Sequence, residues 1–105
     1  MAAERGKVHF GIVRVDLHLP GVTNLKGRRA LLHRVKAALM SDLGCSVAEV
    51  AGSDTWQRAS LGVAVAASTQ TGVDRVLDRV TAVVERDPRV TVLGTVELAD
   101  ALDDD

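Results

Sequence analysis

The sequence predicts an α+β domain of order β-α-β-β-α-β, with two amphipathic helices on one face of a four-stranded antiparallel sheet. Three observations predict it. Four stretches read as strands, most clearly where apolar residues alternate with period two; two longer stretches between them carry apolar residues at helical spacing. The 105 residues, 47% of them apolar, have the length and composition of a single core.

From Val8 to Leu19, the residues Gly11, Val13, Val15, Leu17 and Leu19 alternate with Phe10, Ile12, Arg14, Asp16 and His18, and Pro20-Gly21 ends the run. The odd-numbered set is the cleaner apolar face and is expected to meet the helices. Thr23 and Asn24 offer caps for a helix from Leu25 to about Asp42, with Leu31, Leu32, Val35, Ala38 and Leu39 on its apolar side. Gly44 stops it, and Cys45 to Val50 is a short second strand. Ala51-Gly52-Ser53-Asp54 has turn chemistry and leads into a third strand from about Trp56 to Ala67, with Leu61, Val63 and Val65 facing the core. Thr71 and Asp74 resemble a capping box for a second helix, continuous through Val73, Val76, Leu77, Val80, Val83 and Val84 and ending before Pro88. Val90 to Leu98 is the last strand. Two such β-α-β halves joined by right-handed crossovers interleave into a ferredoxin-like sandwich, with the first and third strands central. Residues 1–7 are expected to be a flexible arm, 8–99 the domain and 100–105 a disordered acidic tail.

A formal net charge of −1 excludes a general polycation, so any nucleic-acid contact has to come from a local patch. One Trp, one Phe and no Tyr leave few rings for stacking bases. A lone cysteine, Cys45, forms no internal disulfide. No signal segment follows Met1, and no apolar run approaches a membrane span, so the expected compartment is the cytoplasm.

Three surfaces stand out. At about 100° per residue, Lys26, Arg29, His33 and Lys36 fall within a quarter turn, opposite the apolar side of the first helix. Lys26, Arg28 and Arg29 also lie near a helix N-terminus, a poor place for cations unless an anion approaches. The stripe is either a solvated helix face or a phosphate contact. Trp56, beside Gln57 and Arg58, either covers the end of the core or presents a ring next to a cation for a base or a partner. The sheet face away from the helices, with Phe10, Ile12, Arg14, Ala64 and Ala66, is either a modest patch or a partner surface. A second copy is its simplest occupant. Catalytic signals are weak. Asp16 and His18 share a strand face but make only two ligands, no metal-ligand spacing occurs and Cys45 has no identifiable base, so no enzyme activity, metal or cofactor is expected.

The segments Val13-Arg14-Val15-Asp16-Leu17-His18-Leu19-Pro20, Asn24-Leu25-Lys26-Gly27-Arg28-Arg29, Ser46-Val47-Ala48-Glu49-Val50 and Trp56-Gln57-Arg58-Ala59 together resemble the YlxP-like family of small bacterial proteins of unknown function. The resemblance runs from about Val8 to Leu98. It implies a ferredoxin-like fold and a gene often found among translation-initiation and ribosome-maturation genes, and it implies no reaction. It places the family's basic helix-start motif on Leu25, Lys26, Arg28 and Arg29, and its Trp-Gln-Arg motif on Trp56, Gln57 and Arg58. Gly27 departs from the Asp or Glu common in relatives, which weakens the first helical turn by about 1 kcal/mol. The leading expectation is an accessory protein that touches RNA or a ribosomal particle through Lys26, Arg28, Arg29, His33 and Lys36, with Trp56 and Arg58 as a second contact. The alternative is a homodimeric structural or protein-interaction module using the open sheet face.

Overall fold

The computed structural model describes residues 6–50 and 55–103. The elements are β1 (Val8–His18), α1 (Leu25–Leu43), β2 (Ser46–Val50), β3 (Arg58–Ala67), α2 (Gln70–Leu77), α3 (Val80–Val84) and β4 (Thr91–Leu102). The four strands form one antiparallel sheet in the order β2-β3-β1-β4, with β1 and β3 central, as two interleaved β-α-β halves require.

The alternation in β1 is realised residue by residue. Val13, Val15 and Leu17 are buried under the helices, while Ile12 and Arg14 are exposed on the other side. Leu61 and Val63 of β3, Leu31, Leu32, Val35 and Leu39 of α1, and valines of α2 and α3 complete one core. Asn24 caps α1 by accepting the Gly27 N–H at 2.8 Å, and Gly44, at φ 62°, closes it in the left-handed conformation that glycine adopts without strain. Gly11 is the point of closest approach between sheet and helix. A Cβ there would lie 2.6 Å from Val73 Cγ1 and 2.7 Å from Leu77 Cδ1, so α2 seats on β1 only above a bare backbone.

Four boundaries differ from the sequence expectation. The second helix is not continuous: it breaks at Asp78–Arg79, which lets α2 pack on β1 and β3 while α3 packs on α1 and β4. Its cap is Thr69, not Thr71, because the helix starts three residues after β3 ends; Thr69 Oγ1 accepts the Gly72 N–H at 3.0 Å, and Asp74 instead accepts from Gln70 Nε2. β3 begins at Arg58, not at Trp56, leaving Trp56 and Gln57 in a turn. β4 runs to Leu102, three residues into the stretch expected to be a tail. There it continues the ladder with β1 down to Val8↔Leu102, and Lys7 pairs with Asp103 beyond it. Residues 1–5 of the expected arm, 104–105 of the tail and the turn at 51–54 lie outside the described residues.

Candidate nucleic-acid interface

The end of the sheet where β1 runs out carries three chain crossings: the loop from Leu19 to Asn24, the start of α1, and the turn that opens β3. They are held together by backbone and side-chain hydrogen bonds. The Leu19 N–H donates to the Gln57 carbonyl at 2.8 Å, and Gln57 Nε2 donates to the Val22 carbonyl. Arg28 Nη2 donates to the Arg58 carbonyl at 3.1 Å and meets Glu49 Oε1 of β2 at 2.7 Å. The four segments that carry the family resemblance are therefore tied to one another here: Leu19 to Gln57, and Arg28 to both Glu49 and Arg58.

Arg28 is not a free cation. Its side chain is only 13% exposed, against the exposed Lys26 and Arg29 on either side. The reason is angular: at about 100° per residue, position 28 lies between positions 32 and 35 in projection, in the middle of the apolar face. Glu49 was not singled out from the sequence, although a signal for it exists. In β2 the odd-numbered residues face the helices, so a carboxylate beside Val47 on that side needs a cation, and Arg28 on the apolar side of α1 is the matching break in pattern.

Lys26, Arg29 and His33 are exposed and Lys36 is half-buried, all on the outward side of α1. None of the four has an ion pair among the described residues, whereas Lys7, Arg14, Arg28, Arg86 and Arg89 each have a carboxylate partner. Trp56, 49% exposed, stands in the turn whose next residues are gripped by Val22, Leu19 and Arg28. Arg58 is exposed on the open sheet face opposite His18. The structure thus brings the helix-start motif and the Trp-Gln-Arg motif to one end of the molecule, with Lys26, Arg29, Trp56 and Arg58 outward and Arg28 and Gln57 as fasteners.

A second concentration of arginines was not read from the sequence. A cavity of about 390 Å³ between α1 and the segment after α3 is lined by Arg34, Arg86, Arg89 and Asp87 together with Val35 and Val84. Asp87 takes Arg89 through Nε at 2.9 Å and Nη2 at 2.6 Å, and that guanidinium holds its carboxyl down at about 2. The salt bridge of Asp42 with Arg86 likewise lowers the Asp42 carboxyl. Only sequence separation hid this cluster, since α1 and the 85–89 segment meet solely in the folded chain.

Asp16 and Cys45 have structural partners, and His18 lies half-buried on the open sheet face beside Arg58. Asp16 accepts from Ser60 Oγ at 2.7 Å and pairs with Arg14 Nε at 3.2 Å. Cys45 is buried, its Sγ donates to the Leu39 carbonyl, and burial pushes its thiol up, away from a nucleophilic thiolate. Among the described residues, no group of three or more His, Cys, Asp or Glu is placed to hold a metal ion, and no helix is long and apolar enough to cross a membrane.

Residues 10–96 match the model of the family described as "Protein of unknown function (DUF503)". The chain belongs to that family. A curated relative, "Uncharacterized protein YlxP" of Bacillus subtilis (strain 168), is 33% identical over 81 residues, covering 77% of this chain and 88% of the relative. Among solved structures, "Structural Genomics, protein YJCS" superposes with a TM-score of 0.55 at 10% identity, covering 85% of this chain and 96% of that one. A designed protein, Foldit4, aligns with a TM-score of 0.46 at 10% identity, covering 93% of this chain and 99% of that one. The first superposition speaks for the fold alone. The family match spans all four motif segments, so the knot of Leu19, Arg28, Glu49 and Gln57 lies wholly inside the family's own region.

Proposed function

We propose that this protein is a non-enzymatic accessory factor that contacts RNA, on a ribosomal particle, through the outward side of α1. Lys26, Arg29 and Lys36 contact phosphates, and His33 lies on the same stripe. Trp56 and Arg58 supply a second contact at the same end, and Arg28 positions them without touching the ligand. The observation that carries the reading is the unpaired state, among the described residues, of the cations on this one side of α1, in a chain whose other helix-start cation is neutralised by Glu49. With a net charge of −1 any phosphate contact has to come from a local patch, and a row of cations without ion pairs among the described residues supplies one, with Trp56 at the same end of the molecule. The ribosomal particle comes from the gene neighbourhood that the family resemblance implies.

The test is cosedimentation with ribosomal subunits across a salt series, for the native chain and for Lys26→Ala/Arg29→Ala. Binding is expected to fall with salt, and loss of two phosphate contacts lowers the slope of log K against log salt by about 1.5. Binding that ignores both salt and the double substitution refutes the reading.

A further inference from the structure

The sheet face away from the helices leaves large aliphatic side chains in solvent: Ile12 is 44% exposed, Val96 59%, Leu98 61% and Leu102 66%. Strand lengths of 5, 10, 11 and 12 residues give this face an area on the order of 600 Å², close to the ~800 Å² that each partner contributes to a standard interface. Its cations are few. Arg14 is paired with Asp16, Arg58 sits at the polar end beside His18, and the apolar part carries only Asp100, so an anionic partner is disfavoured there.

The register shows what does fit. Across the sheet, Ser46 of β2 lies beside Ala64 of β3, Ala64 beside Ile12 of β1, and Ile12 beside Leu98 of β4. The next row toward the far end runs Ala48, Gly62, Arg14, Val96. Both rows rise from small residues at β2 and β3 to large ones at β1 and β4, so along these rows half of the face is a trough and half a ridge; the following row, Val50, Ser60, Asp16 and Gly94, runs the other way. The trough is a shallow depression of about 270 Å³ bounded by Ser46, Ala64 and Ala66, with Phe10 and Ile12 as its wall.

We propose that this face is covered by a second copy of the same chain, related by a two-fold axis that runs along the strands between β1 and β3. That rotation keeps position along the strands and exchanges the two sides of the sheet. Leu98 of each copy is then set over Ser46 of the other and Ile12 over Ala64, so the ridge of each copy fills the trough of the other in an aligned sheet-on-sheet pair. A two-fold across the strands would set ridge on ridge and leave both troughs empty. The same end of the face stays apolar in both copies, and the polar end with Asp16, His18 and Ser60 meets its own kind. The surface lies on the opposite side of the sheet from α1, so pairing leaves the outward cation stripe accessible; of the proposed RNA contacts, Arg58 alone lies on the paired face, at its polar end beside His18.

Sedimentation equilibrium of the native chain over a concentration series tests this. A species of twice 11.1 kDa is expected, unchanged in Lys26→Ala/Arg29→Ala and reduced to the 11.1 kDa monomer in Leu98→Asp and, separately, in Ala64→Arg. Both sites are exposed in a single copy, so each variant folds, and circular dichroism with a thermal melt verifies it. A native chain that stays monomeric at every soluble concentration overturns the proposal and leaves the face to a different protein. A dimer that survives Leu98→Asp overturns it too, and one lost in Leu98→Asp but kept in Ala64→Arg overturns the ridge-in-trough axis.

Discussion

Replacing Arg28 by methionine separates a fastener from a ligand contact. Methionine keeps the helix propensity and most of the apolar stem, so the loss reads the guanidinium alone. Nη2 donates at 2.7 Å to Glu49 and at 3.1 Å to the Arg58 carbonyl from a side chain that is 13% exposed. A buried charge-assisted bond contributes about 1.5–3 kcal/mol, and solvent at Glu49, 36% exposed, screens the ionic part toward the lower end, so the substitution is expected to cost about 2 kcal/mol. For a chain whose whole stability is about 5–15 kcal/mol, that lowers the thermal midpoint by roughly 8–16 °C. Urea unfolding followed by circular dichroism should show a lower midpoint with an unchanged slope. Lys26→Met and Arg29→Met, on the exposed side, should stay within about 0.5 kcal/mol of the native chain. Combining Arg28→Met with Glu49→Gln should cost clearly less than the sum of the two. An Arg28→Met variant as stable as Lys26→Met would refute the reasoning and return Arg28 to the ligand-contacting set.

Gly27→Ala should raise stability by up to about 1 kcal/mol in the same urea assay, because a Cβ there meets only Asn24 Oδ1, at an ordinary 3.4 Å, and alanine suits the first turn better. Asp87 should shape the acid limb of stability. Its folded pKa of about 2 lies below the ordinary 3.8, so its contribution, about 1 kcal/mol for a pair whose arginine is half exposed, is present above pH 4 and is lost as the pH falls toward 2. In Asp87→Asn that fall should flatten, and urea midpoints compared between pH 5 and pH 2 measure the difference.

The period-two runs of β1 and β3 and the apolar side of α1 were legible because binary pattern and side-chain direction are local: each strand residue points to one face, and each helical residue to one angle, whatever the rest of the chain does. The same locality put Lys26, Arg29, His33 and Lys36 on one stripe and Phe10, Ile12, Ala64 and Ala66 on one face, and the register sets these last four side by side. Arg28 could have been assigned to the buried side by the same angle; adjacency to Lys26 and Arg29 in the motif obscured it.

Where pattern was weak, the tertiary environment prevailed. The valine stripe from Val73 to Val84 has no local break, and the helix divides because its two halves pack on different partners. The residues after Leu98 carry no strand signal of their own, and β4 continues to Leu102 because β1 offers a ladder to pair with. Trp56 lies outside the strand because Thr55 to Arg58 close into a turn, the Arg58 N–H donating to the Thr55 carbonyl, while Leu19 holds the Gln57 carbonyl at the end of the β1 ladder. The sequence by itself determined the order of the strands and the face that the alternating and helically spaced side chains occupy. The tertiary structure decided which cations are spent on carboxylates, and where small and large residues meet across the sheet. Those depend on register and on contacts between distant segments, for which a linear pattern carries no coordinate.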